Sequence, residues 1–442
     1  MRKYFLNILI VITFASFEVV KAQTSGGNSP YSRYGWGKLT EEAQGFNKGM
    51  AGAGIAARGK EMLNYQNPAS YSALDSITFL FDAGISLQNG HWSENGKSIN
   101  ALNSSLDYLQ AGFRLRKHLG ISIGVRPISI VAYDFYATKS MPDNDGFGVY
   151  TSTSSYSGEG GVRKIWLGLG WEPVKNLSVG INGGYIWGDY SHKTSITYSN
   201  ANVHSLAREY KGSINTYDLN LGVQYTQELS KKDILTIGAT FGLGHDINSR
   251  STYINQKLTT TSVLGGDTMV ARKAYQIPMR FGVGATLKHN DKWTFAADYT
   301  CQLWKDCKFP ELVSTSSATT YSAEKNIFRN LHKIALGTEY IPNPEGLKLR
   351  HHVAYRAGVS YATSYVNVNN DGVVSSGPKS LIVSAGLGLP IVNMYNNRSM
   401  LNASVQWEHL IPGRSHSLKE DYLRLCIGLS FNANWFNKWK IE

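Results

Sequence analysis

Cysteine, long apolar runs and linker-like segments are all scarce in this chain, and each scarcity removes a class of protein. Three cysteines occur in 442 residues. Cys301, Cys307 and Cys426 are too separated in sequence to read as a thiolate metal centre. Beyond residue 22 no apolar stretch approaches the roughly 20 residues that a membrane-crossing helix needs, so a helical membrane protein is excluded. A soluble chain of this length usually splits into two or more domains, yet no segment rich in Pro, Ser or charge divides this one. One large closed structure fits better.

What is present begins with an export signal. Arg2 and Lys3 precede an apolar run from Tyr4 to Phe17, interrupted by Asn7, Thr13 and Ser16, and the small residues around Ala22 place cleavage after it. Asn7 and Glu18 leave that run too short for a retained anchor, and no cysteine follows the site to carry a lipid. The formal net charge is +12, and losing Arg2, Lys3, Lys21 and Glu18 with the signal leaves +10. In an exported protein that balance meets lipopolysaccharide phosphates rather than nucleic acid.

The mature chain repeats the pattern of a transmembrane barrel, segments of about 10 residues in which apolar residues alternate with small or polar ones. Ile165, Leu167, Leu169 and Trp171 stand against Trp166, Gly168 and Gly170. Ile277, Met279, Phe281, Val283 and Ala285 stand against Arg280, Gly282 and Gly284. Leu423, Leu425, Ile427, Leu429 and Phe431 stand against Arg424, Cys426, Gly428 and Ser430. About fourteen such segments run from 77–88 to 421–431. Tight turns at Lys117-His118, 173–176, 229–232 and 288–291 alternate with long Ser, Thr, Asn and Gly-rich excursions, which puts the short turns and both termini in the periplasm. A soluble two-sheet sandwich is the alternative for so many strands. Trp171, Trp187, Tyr225, Trp293, Trp304, Tyr340, Tyr361 and Trp407, near predicted strand ends, favour a membrane interface instead. The expectation is an all-β, antiparallel transmembrane barrel in the cell outer membrane, divided into signal (1–22), N-terminal hatch (23–76), barrel (77–431) and periplasmic tail (432–442, with Trp435, Phe436 and Trp439).

Residues 23–76 lack alternation and are dense in Gly and Ala, but Tyr31, Tyr34, Trp36, Phe46 and Leu63 argue for packing inside the barrel rather than a disordered leader. The run Gly45-Phe46-Asn47-Lys48-Gly49-Met50-Ala51-Gly52-Ala53-Gly54, then Asn67-Pro68-Ala69 just before the first strand, resembles the hatch of FadL/TodX-type outer-membrane transporters of hydrophobic compounds. The resemblance covers the mature chain in architecture and about residues 43–75 in motif. It implies a plugged uptake channel for hydrophobic molecules such as long-chain fatty acids, released sideways where the third strand is kinked. Arg126 and Pro127 lie in that strand, where a missing N–H interrupts the ladder; an ordinary bulge is the equal alternative, and Pro278 offers the same break in the eighth strand.

Catalysis and cofactors find no support. His351-His352 and the His409 to His416 loop read as turn or interface residues, and Asn367, Asn369, Asp371 and Gly372 mimic a calcium loop whose twelfth position is Pro378 instead of Glu. No enzyme activity, cofactor or metal is expected. Cys301 and Cys307 flank the top of the ninth strand, where they either close a bridge or remain thiols, and Cys426 faces the lumen alone. The loops are more polar than a capture surface for apolar ligands, with Leu258, Val263, Leu264 and Met269 as sparse exceptions. Two function classes therefore stand: a monomeric channel for a hydrophobic ligand, and a component similar to the PorV-like barrels of protein secretion, with secreted-protein cargo. A general porin is disfavoured by the plug and because no charge-lined constriction is evident from the strands.

Overall fold

A computed structural model describes residues 27–76, 78–94, 96–141, 150–200, 202–259, 262–314, 318–346, 348–370, 373–392, 398–413 and 418–434. The expected signal and most of the expected tail, including Trp435, Phe436 and Trp439, lie outside the described residues.

Fourteen antiparallel strands close into a barrel. In chain order they are β1 (Thr78–Glu94), β2 (Lys97–Arg116), β3 (Leu119–Met141), β4 (Tyr150–Val174), β5 (Leu177–Tyr198), β6 (Ser205–Glu228), β7 in three pieces (Asp233–Gly242, His245–Ile247, Arg250–Leu258) and β8 in three pieces (Val263–Arg272, Tyr275–Ile277, Arg280–His289). They continue as β9 (Trp293–Gln302), β10 (Leu331–Tyr340), β11 (Ala354–Ala362), β12 (Lys379–Val392), β13 (Arg398–Ile411) and β14 (Lys419–Asn434). Closure is by β1 on β14, from Thr78↔Asn434 to Ser93↔Lys419. Closing the sheet lets neighbouring strands satisfy each other's backbone groups without water, which is why strands can cross a bilayer.

The alternation read from the sequence follows the wall. Leu167 and Trp171 are exposed to the lipid side while Trp166 faces inward at 2% exposure, and Leu423 and Leu425 face out while Cys426 is buried. Trp171, Tyr225, Trp293, Tyr361 and Trp407 are exposed on the outer surface, with Trp293 against Tyr340 at 4.4 Å between ring centroids. Two expectations need correction. Ile277 is buried, because β8 breaks at Pro278 and the piece Tyr275–Ile277 turns inward to pair with His245–Ile247. Trp304 is also buried, inside an aromatic core beneath the outer loops.

The wall is uneven. β3 to β6 run for 23, 25, 22 and 24 residues, against about 9–11 needed to cross the membrane, whereas β9, β10 and β11 have 10, 10 and 9. One side of the barrel therefore stands far above the long-loop end. Residues of the N-terminal segment pack against the inner wall, with Gly54 N bonded to Asp298 and Asn67 Nδ2 to Val223 O. Both barrel ends meet at the short-turn side as expected, but the described chain starts at the opposite end, where Ser29 Oγ donates to Glu420 at 2.7 Å. It then descends through a short helix α1 (Gly45–Lys48) to a 3-10 turn (Pro68–Ala73) packed against β3 to β6.

Candidate functional site

The floor of the lumen is built on the Asn67-Pro68-Ala69 motif. Asn67 caps the 3-10 turn: its Oδ1 accepts from Ala69 N at 3.1 Å, while its Nδ2 donates to Ile55 O at 3.0 Å and to Val223 O in β6 at 3.1 Å. Pro68 occupies the first turn, where no N–H is needed. The wall is shaved to receive them: a Cβ at Gly180 would lie 2.3 Å from Pro68, and one at Gly222 would lie 2.1 Å from Asn67 Oδ1. The small-residue run above it serves the same close approach, with Ala51 and Ala53 at 0% exposure.

Arg126 and Pro127 lie where the wall parts. The β2–β3 ladder runs from Arg116↔Leu119 only as far as Leu109↔Val125. Above it β2 stays with β1 and β3 stays with β4, the latter through a bulge between Pro127 and Ser129. The resulting seam is occupied from inside by the strap of residues 27–40. Its two-residue strand Lys38–Leu39 pairs antiparallel with Ile130 and Ser129 of β3. Thr40 N donates to Ile128 O at 2.9 Å and Thr40 Oγ1 to Pro127 O at 2.8 Å. Arg126 turns into the lumen, donating to Tyr65 Oη and to Glu42, both at 2.8 Å.

Between strap and floor lies a cavity of about 340 Å³. Its lining includes seven basic side chains (Lys38, Lys48, Arg126, Lys164, Arg280, Lys333, Arg424) and five acidic ones (Glu41, Glu42, Asp107, Asp298, Glu408), a concentration of charge that was not evident from the strands. They are largely paired. Lys164 and Arg280 both bind the fully buried Asp218. Lys38 reaches Glu408 at 2.9 Å, Arg424 shares that carboxylate, and Lys48 reaches Asp107 at 2.6 Å. Asp298 accepts from Gly54 N and Ile55 N at 2.6 and 2.8 Å, tying the floor to β9. Sequence reasoning missed this network because the partners are far apart in sequence. Its only local signal is a charged residue at an inward position, such as Lys164 beside Ile165.

Above the chamber the lumen is filled by the chain itself. Trp36, at 1% exposure, sits edge-on to Tyr275 and Trp304, with ring centroids 6.0 and 5.7 Å away. Gly35 and Gly37, at φ of 59° and 89°, bend the backbone so that the indole enters. Tyr365 Oη accepts from Trp36 N at 3.1 Å and donates to Gly37 O.

The remaining candidates resolve simply. Cys301 and Cys307 are free thiols, Cys307 Sγ donating to Leu303 O at 3.3 Å. Asn367 is committed to Arg329 and to Ile327 O, while Asp371 and Gly372 of the calcium-like run lie outside the described residues. Among the described residues no group of three or more His, Cys, Asp or Glu is placed to hold a metal.

Solved structures with this fold include the CymD monoaromatic hydrocarbon channel, 14% identical over 90% of this chain and 98% of that one, with a TM-score of 0.56. A Pseudomonas aeruginosa FadL homologue is 12% identical over 90% and 99%, at 0.58. The P. putida toluene transporter TodX is 13% identical over 90% and 100%, also at 0.58. The chain thus has the FadL/TodX-type outer-membrane barrel architecture. No curated protein matches it in sequence. The sequence model of the BamG family, however, matches residues 1–442, and this outer-membrane barrel belongs to the BamG family.

Proposed function

We propose that this protein is a closed barrel that docks other polypeptides at the outer membrane, as part of a protein-handling assembly, with residues 27–76 as a fixed hatch. One observation carries the reading: the cavity between strap and floor is lined with charged side chains and lies beneath a plug of the protein's own aromatic residues. The aromatic upper lumen is packed with Trp36, and the space beneath is ringed by charge. An apolar ligand entering such a chamber gains little of the free energy that leaving water normally provides. The tall wall of β3 to β6 supports docking, since strands of this length rise beyond any membrane requirement.

The test is to purify the full chain in mild detergent, identify retained molecules by mass spectrometry, and measure conductance in planar bilayers. We expect no bound hydrocarbon or fatty acid, a closed barrel, and a polypeptide that remains in fixed ratio through purification. A retained fatty acid or aromatic hydrocarbon in near-equal amount to protein would overturn the proposal.

A second reading is favoured by the seam itself. A hydrophobic ligand such as a long-chain fatty acid would leave sideways between β2 and β3 at Arg126 and Pro127 once the strap withdrew. The same mass spectrometry on Pro127→Ala separates the two, because only lateral release makes ligand retention depend on Pro127.

A further inference from the structure

Above the strap, β3 keeps a free edge. Its register with β4 is unbroken from Ala132↔Glu159 to Met141↔Tyr150. On its other side β2 has left at Val125, and the strap reaches only to Ala132, where Ser32 Oγ engages both Ala132 N and Ala132 O at 3.2 Å. In an antiparallel ladder the N–H and C=O of one residue point to the same side and neighbours alternate. Since Ala132 turns both groups toward the strap, Asp134, Tyr136, Thr138 and Ser140 turn theirs the same way. Among the described residues nothing pairs with them. The edge of residues 133–141 is about 30 Å long at ~3.3 Å per residue, and Tyr136 on it is 75% exposed.

Such an edge is a template for another strand unless something covers it. We propose that residues 133–141 of β3 accept an extended segment of a partner polypeptide, added antiparallel and running toward the membrane, with a β-branched or aromatic side chain opposite Tyr136. The inference rests on the docking reading and names its site. Two observations choose the occupant. The strap already adds to this same edge in antiparallel sense, so the partner strand continues a mode the fold uses. A second copy inserted with the same orientation can offer its own β3 only in parallel, which that mode does not fit. Main-chain bonding supplies the affinity and alternate side chains the specificity, as in other strand additions.

The experiment places the photoreactive residue p-benzoylphenylalanine at Asp134, Tyr136 or Thr138 of the full chain in intact outer membrane, with a lipid-facing control at Tyr217. Cross-linked peptides are sequenced, and the heat-dependent gel mobility of the folded barrel is checked for each variant. We expect adducts at the three edge positions to a single polypeptide, the linked residues stepping backward along the partner as the probe steps forward along β3. Thr138→Pro removes a free-side N–H but no bond to β4, and should lower the adduct at Tyr136 about tenfold or more, the weight of one lost ladder bond. A partner that still co-purifies while all three edge positions stay silent overturns this site and leaves the docking reading standing. Adducts only to a second copy, or adducts indifferent to Thr138→Pro, also overturn the site. The absence of any co-purifying polypeptide takes down the docking reading itself.

Discussion

The two ends of the N-terminal segment are held in opposite ways. The floor is fixed by many small contacts, most of them between neutral groups. Asn64, Asn67, Ser70 and Tyr71 are all fully buried; Asn64 donates to Gly54 O and Ala57 O, Ser72 Oγ to Ser178 Oγ, and Tyr71 Oη to Asn182, over a wall of close-fitting glycines. The strap has one large, fully buried anchor, Trp36, with Tyr31, Tyr34 and Leu39 only partly buried, a two-residue pairing with β3, and polar bonds beside a charged cavity: Lys38 to Glu408, Ser29 to Glu420, and Tyr31 Oη to Leu418 O at 2.8 Å. Distributed contacts yield to no single substitution, whereas an element with a single large, fully buried side chain is the more exposed to one. The strap is therefore expected to give way before the floor.

Trp36→Ala makes the sharpest cut between them. Emptying a buried indole site costs about 3–5 kcal/mol, and that loss falls on the strap. Trypsin should then cleave at Arg33 and Lys38 while the barrel keeps its folded gel mobility. Loss of the barrel together with the strap would mean that the two ends form one cooperative unit. Asn67→Ala is the matching change in the floor. It takes the side-chain acceptor from Ala69 N, while Ile55 O keeps Gln224 Nε2 as a donor; at about 1–3 kcal/mol it should lower the melting temperature without exposing Arg33 or Lys38. Smaller still is Lys38→Gln. A partly exposed ion pair contributes roughly 1 kcal/mol or less and weakens with salt. Wild-type cleavage at Arg33 should rise between low and high salt, and the variant should begin at the higher rate and respond little. A salt response equal in both would place the strap's hold elsewhere than on Glu408.

The wall was legible in the sequence because lipid sorts side chains strictly: Leu167, Leu169 and Trp171 on one face need no tertiary knowledge to be recognised. The floor was legible because a small-residue run and Asn67-Pro68-Ala69 are local. Ile277 and Trp304 were misplaced for one reason, that an apolar letter reads alike facing lipid and facing an aromatic core. The chamber was hidden for another. Lys164, Asp218 and Arg280 meet across β4, β6 and β8, so their pairing depends on register and on the sides to which three separate strands turn them. The strap's strand was hidden too, since Lys38–Leu39 is two residues long and owes its structure to the edge it meets.

The smallest effect involves no stability change and reports the strap directly. Cys307 packs in the same aromatic core as Trp36, and burial, with Asp306 and Asp246 adding to it, pushes its thiol up to about 12. The thiolate is the reactive form, so at neutral pH it should label roughly a thousandfold more slowly than an unperturbed cysteine. The raised value also fixes the direction with pH, since the rate must keep climbing well above the range in which ordinary thiols level off. Cys301, only half-buried on β9, serves as the internal comparison, with mass spectrometry reading each site. In Trp36→Ala the core opens and Cys307 should approach the rate of Cys301, while Asn67→Ala should leave it slow. Equal acceleration in both variants would mean that the aromatic core senses the floor as much as the strap, and the division between a fixed floor and a releasable strap would fall.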